Sequence, residues 1–240
     1  MGIRAKEVKR MRPTSRTVIV AVALACAALP GYAGVISTLG SWNGSSFISS
    51  WGTVPSGETP TYGESFTAAA GFDVLNAMTF EIQNTSGASI PFNAYVYAWN
   101  GTAITGSALF TSGPNSVASG AGFQAISVNT GAVALTDGST YIALYSTLGD
   151  GGSASAVSSW GILSSDSAYP GGTFEYSNAA LLSGLSDSTT WNNGSAGSVG
   201  EDLAFELDFN GSATPEPSTF TLIAGALVGA VLWRRRAARS

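Results

Sequence analysis

Histidine is absent from all 240 residues, and the single cysteine, Cys26, lies within the first thirty. Lysine and arginine are missing from residues 34–217, since all ten stand before residue 17 or after residue 233. Each absence removes a class of chemistry. Without histidine there is no Ser-His-Asp or Cys-His nucleophile, and without lysine in the body there is no Schiff base. Zinc loses its usual nitrogen and sulfur donors, and one cysteine cannot close a disulfide within the chain. Fourteen of the fifteen acids, all but Glu7, fall in 34–217, so this body carries a net charge of −14 against −5 for the whole chain. A surface of that sign is repelled by phosphate backbones, which excludes nucleic acid as a partner. The body also lacks a capped helical period of useful length and any repeat of 20–50 residues.

What remains is carboxylates, hydroxyls, amides and aromatics. Of the common reactions, only glycoside hydrolysis by a paired acid and base needs nothing more. The 177 residues from Gly34 to Asn210 suffice for one domain with a proper core. Short apolar runs between Gly, Ser and Thr connections predict an all-β fold, a single antiparallel β-sandwich of jelly-roll-like form. The clearest strand is Leu203 to Phe209, where Leu203, Phe205, Leu207 and Phe209 alternate with Ala204, Glu206 and Asp208. Met78, Phe80 and Ile82 alternate with Thr79, Glu81 and Gln83 in the same way. Pro91 to Trp99 sets Phe92, Ala94, Val96 and Ala98 against Asn93, Tyr95, Tyr97 and Trp99, and Asn100-Gly101 follows as a turn pair. Further strands are expected near Phe47 to Trp51, Ser65 to Thr67, Ala108 to Thr111, Gly122 to Val128, Thr140 to Ser146, Val157 to Ile162 and Thr173 to Tyr176.

Two constellations are candidate sites. The aromatics Trp42, Trp51, Tyr95, Tyr97, Trp99, Trp160 and Trp191 include three on one strand face beside an amide, and flat aromatic rings stack on sugars. Tyr95, Tyr97, Trp99 and Asn100 are therefore the candidate glycan platform, against the alternative that a second sheet covers that face. Calcium takes six to eight oxygen ligands from carboxylates and glycine-rich loops. Asp150 in Gly149-Asp150-Gly151-Gly152, with Glu201 and Asp202 at the last strand, forms the candidate metal set, against the alternative of a bare loop. No other cofactor is expected.

The two ends carry the only cations. Arg4, Lys6, Lys9, Arg10, Arg12 and Arg16 precede an apolar run from Val18 to Leu29, and Gly31-Tyr32-Ala33 offers small residues for cleavage. Residues 1–33 thus read as a signal peptide for Sec export, cut after Ala33. At the other end, Pro215-Glu216-Pro217 is followed by an apolar segment within 218–233 and then by Arg234, Arg235 and Arg236. Phe220 to Trp233 would span about 21 Å as a helix, short of the roughly 30 Å of hydrocarbon it has to cross. The arginines of tail 234–240 stop transfer and hold it in the cytoplasm.

In this order, at the extreme C-terminus, the three parts resemble the PEP-CTERM sorting signal of exosortase-bearing Gram-negative bacteria. The resemblance implies an exosortase cut near Pro215 to Pro217, with 211–217 as the spacer and 218–233 as a transmembrane sorting helix that holds the chain transiently in the inner membrane. Within the body, YVYAWNGTAITGSALF at Tyr95 to Phe110, ESFTA at Glu64 to Ala68, GFQAISVNTG at Gly122 to Gly131 and DLAF at Asp202 to Phe205 are similar to sandwich domains found in front of such tails. The leading expectation is an exported, exosortase-processed, non-enzymatic surface or matrix protein associated with exopolysaccharide. A carbohydrate-binding module and a carboxylate-only glycosidase are the alternatives.

Overall fold

The computed structural model describes residues 32–52, 58–149, 157–163, 168–193 and 201–211. The leader through Gly31, Asp150, and the sorting triplet, helix and arginines of the tail lie outside the described residues. Among the described residues no helix is long and apolar enough to cross a membrane.

The chain forms β1 (Tyr32–Ser37), β2 (Phe47–Gly52), β3 (Thr61–Thr67), β4 (Val74–Asn84), β5 (Ile90–Trp99), β6 (Ile104–Thr111) and β7 (Asn115–Val117). It continues as β8 (Gln124–Ala134), β9 (Thr140–Ser146), β10 (Val157–Leu163), β11 (Phe174–Ser177), β12 (Trp191–Asn193), β13 (Asp202–Leu203) and β14 (Phe205–Gly211). These strands pair antiparallel in two sheets. Sheet A runs β1-β14-β4, with β8 on the far side of β4, while sheet B runs β12-β11-β3-β9-β5-β6. Successive long strands mostly cross from one sheet to the other, and β1-β14-β4-β8 facing β3-β9-β5-β6 is jelly-roll topology.

Period-two alternation explains why these segments are strands and where the core lies. In β4, Met78, Phe80 and Ile82 are buried while Thr79, Glu81 and Gln83 are half-buried, and Leu203, Phe205, Leu207 and Phe209 are buried as expected. Between the sheets sits an aromatic centre. Trp160 meets Trp51 at 5.2 Å, Phe80 at 5.0 Å and Tyr145 at 5.7 Å, and Phe92 stacks on Tyr145 at 4.5 Å. The Tyr145 hydroxyl lies 3.0 Å from Met78 O and 2.9 Å from Ile126 O, so its polar tip is satisfied inside the core.

Two features depart from the sequence reading. β1 begins at Tyr32, so Tyr32 and Ala33, placed in the leader, pair with Gly211 and Asn210. The strand expected as one piece from Leu203 to Phe209 divides at Ala204. There Ala204 N–H donates to Gly161 O, and Glu81 N–H donates to Ala204 O. β13 and the end of β10 pair with each other beyond that point, and Phe174 N–H donates to Glu201 O, which ties this corner of sheet A to sheet B.

Candidate functional site

Sheet B has a second apolar layer on its outer face. Tyr95, Tyr97 and Trp99 point away from the inter-sheet core, which takes Phe92, Ala94 and Val96 instead. They are nonetheless buried, at 4, 9 and 7 % exposure. The cover is neither the other sheet nor solvent. Leu185 and Ala179, from the segment between β11 and β12, pack on this face together with Ile142, Leu144, Leu148 and Trp191. Trp99 meets Trp191 edge-on at 4.9 Å, and the Trp191 ring N–H donates to Leu185 O. The covering segment forms two short 3-10 turns, Leu182–Ser186 and Ser188–Thr190, the second capped by Asp187, whose Oδ1 accepts from Thr189 N–H at 2.9 Å. These hydrogen bonds hold the exposed Asp187 carboxyl below its ordinary pKa.

This corrects the expectation of an open platform at Tyr95, Tyr97 and Trp99. Asn100 is likewise committed, since its Oδ1 accepts from Thr102 N–H, the Thr102 hydroxyl and Ala103 N–H in the turn where Gly101 takes φ +93°. Trp51, Trp160 and Trp191 are buried too, which leaves Trp42 alone of the seven at the surface.

The acids show a different arrangement from the expected metal set. Asp202 is buried, and its Oδ2 accepts from Tyr169 N–H at 2.8 Å. Close enough to interact electrostatically with it is Glu64, a residue at 0 % exposure whose Oε2 accepts from Leu203 N–H at 2.9 Å and whose Oε1 has no hydrogen-bond partner. Burial, with Asp202 and Glu175 nearby, pushes Glu64 well above the carboxylate range; burial likewise raises Asp202 to about 6 and Glu175 to about 8. The backbone carbonyl of Glu201 serves β11. Among the described residues no group of three or more His, Cys, Asp or Glu side chains is placed to hold a metal. Sequence reasoning missed Glu64, although the signal was there: Tyr62, Glu64 and Phe66 share one face of β3, and two of the three are core aromatics.

The tail supplies the informative comparison with known proteins. Residues 213–236 match the model of the PEP-CTERM protein-sorting motif. The chain carries a PEP-CTERM sorting signal. It is therefore an exosortase substrate, directed to the cell envelope. In the described fold, β14 delivers the chain to within two residues of that PEP-CTERM match. No curated protein matches the chain. Among solved structures, the cysteine protease and lectin-like domains of Cwp84, a surface layer associated protein of Clostridium difficile, are similar at 12 % identity and a TM-score of 0.38. That alignment covers 64 % of this chain and 32 % of the other, so this chain spans about a third of the protein it matches.

Proposed function

We propose that the sandwich is a non-enzymatic surface or matrix protein, exported through the inner membrane by the Sec route, released from its membrane tail by exosortase and associated with exopolysaccharide. The observation that carries this reading is the sorting match at 213–236 placed directly after the last strand of the sandwich. The body's side-chain inventory supports the non-enzymatic part. The close carboxyl pair, Glu64 and Asp202, is buried in hydrogen bonds with Leu203 and Tyr169, whereas a glycosidase presents two acids across a cleft that admits sugar and water.

The test replaces Pro215, Glu216 and Pro217 with alanine and follows the protein by cell fractionation in its exosortase-bearing host. The uncut chain is expected to accumulate in the inner membrane while the native chain reaches the surface fraction. Equal distribution of the two contradicts the reading.

A further inference from the structure

The outer face of sheet A carries aromatic residues that reach the surface, Phe47 among them at 56 % exposure. Trp42, in the β1–β2 connection, lies against Gly161 of β10, where an added Cβ would come within 2.8 Å of the indole. Backbone and ring of Trp42 are both held in place. Trp42 N–H donates to Thr38 O at 3.1 Å, the indole N–H donates to Ser46 O at 2.9 Å, and Phe123 meets the ring edge-on at 4.9 Å. The turn beneath is tied by Asn43, whose Oδ1 accepts from Ser45 and Ser46 N–H. Phe47 pairs with Gly161 in the β2–β10 register and is 56 % exposed. Trp42 and Phe123 are half-buried.

Polar groups border these rings. Glu81 lies on the same outer face, between Ala125 of β8 and Ala204, and Ala204 in turn adjoins Gly161 and the indole. Its half-buried carboxyl makes no hydrogen bond among the described residues and is raised in pKa by burial. Gln83 and Ser159 face each other one step along the same strands. With no lysine or arginine in residues 34–217, none of the described residues can balance an anion on this face.

We infer that Trp42, Phe47 and Phe123 form a binding surface for a neutral glycan, with Glu81 accepting hydrogen bonds from sugar hydroxyls. This rests on the reading of the body as an exported partner of extracellular polysaccharide, and names where and by what chemistry it holds the polymer. Sugar rings offer C–H groups to an aromatic face and hydroxyls to a carboxylate, and the patch offers both in a pre-set geometry. An anionic lipid or uronate chain would meet only like charge. The glycine at 161 serves this seat directly, because any side chain there displaces the indole.

The test uses the full chain in a detergent without a sugar headgroup. It is titrated by calorimetry and tryptophan fluorescence with neutral hexasaccharides of β-1,4-glucose, α-1,4-glucose and β-1,4-mannose, and with a polyuronate. Saturable binding of at least one neutral hexasaccharide and none of the polyuronate is expected. Trp42→Ala weakens that binding by about tenfold or more, and Phe47→Ser by about threefold. Phe47→Ser replaces an exposed side chain and keeps the test valid if Trp42→Ala fails to fold. Trp99→Phe, on the covered face, leaves affinity unchanged. Undiminished binding by folded Trp42→Ala and Phe47→Ser variants overturns this site but keeps the polysaccharide reading. Binding of the polyuronate alone, or of no probe, overturns the neutral-glycan assignment, while the sorting-triplet experiment still decides delivery to the surface.

Discussion

The two sheets of this jelly roll treat their outer faces in opposite ways. On sheet B, Tyr95, Tyr97 and Trp99 form an apolar layer roofed by Leu185, Ala179 and Trp191. On sheet A, Thr79, Glu81, Gln83, Glu206 and Asp208 alternate with core residues and stay half-exposed, with Trp42 set on a glycine at one end. From the sequence, Thr79, Glu81 and Gln83 read as the side of a strand turned away from the core, while the side taken by Tyr95, Tyr97 and Trp99 stays open. Strand alternation assigns residues to two faces, but whether the outer one is wet depends on what a distant segment does. Here residues 178–191, some eighty positions after β5, decide it.

Removing the roof should give the largest effect. Trp191→Ala and Leu185→Ala are each expected to cost about 2–5 kcal/mol of stability in urea unfolding, as for other large buried side chains. Thr79→Ala on sheet A is expected to stay within about 0.5 kcal/mol. If both faces responded alike, the contrast between them would be lost.

A second effect comes from the buried acids. Glu64, Asp202 and Glu175 all have pKa values raised in the folded state, so the fold holds protons that the unfolded chain releases. The stability they contribute is full below about pH 4 and declines as pH rises through about 6 for Asp202 and about 8 for Glu175. Each group removes about 1.4 kcal/mol per pH unit between its unfolded and folded values. No cation of the 34–217 body can offset the resulting repulsion. Unfolding midpoints at pH 4, 6 and 8 should fall in that order, and Glu64→Gln should flatten the decline. A midpoint that rises with pH would reverse the sign of this account.

Glycine replacement sharpens the comparison on a smaller scale. An added Cβ at Gly63, on sheet B, would lie 2.7 Å from Ala143 O and from Leu144 Cβ, where backbone leaves little room to yield. Gly63→Ala is expected to cost about 1–3 kcal/mol. Gly161→Ala presses instead on the Trp42 ring and on Ala204 Cβ, so it should cost less stability than Gly63→Ala while weakening neutral-glycan binding. Calorimetric titration and urea unfolding of the two variants separate these outcomes.

The sequence made much of the fold legible because the body has so few ways to form a helix. Met78 to Gln83 and Leu203 to Phe209 alternate cleanly, and β4 and β14 pair where Met78, Thr79 and Phe80 meet Leu207, Glu206 and Phe205. β1 was hidden because Tyr32 and Ala33 also suit the end of an export leader. The core side of β5 stays ambiguous in the sequence because Ala94 and Ala98 are small, and nothing local to β5 shows that residues 178–191 cover Tyr95, Tyr97 and Trp99. Phe92, Tyr145, Trp51 and Trp160 supply the bulk on the core side. Trp42 was visible as an aromatic but not as a seat, since its support comes from Gly161, 119 positions away in sequence.

Hydroxyl-radical footprinting of the full chain, read by mass spectrometry at single side chains, tests the contrast between the faces most directly. Oxidation concentrated on Trp42, Phe47 and Phe123, with Tyr95, Tyr97, Trp99 and Trp191 spared, is the result this account predicts. Strong oxidation of Trp99 and Tyr97 with Trp42 protected would contradict it, and would return the glycan platform to sheet B.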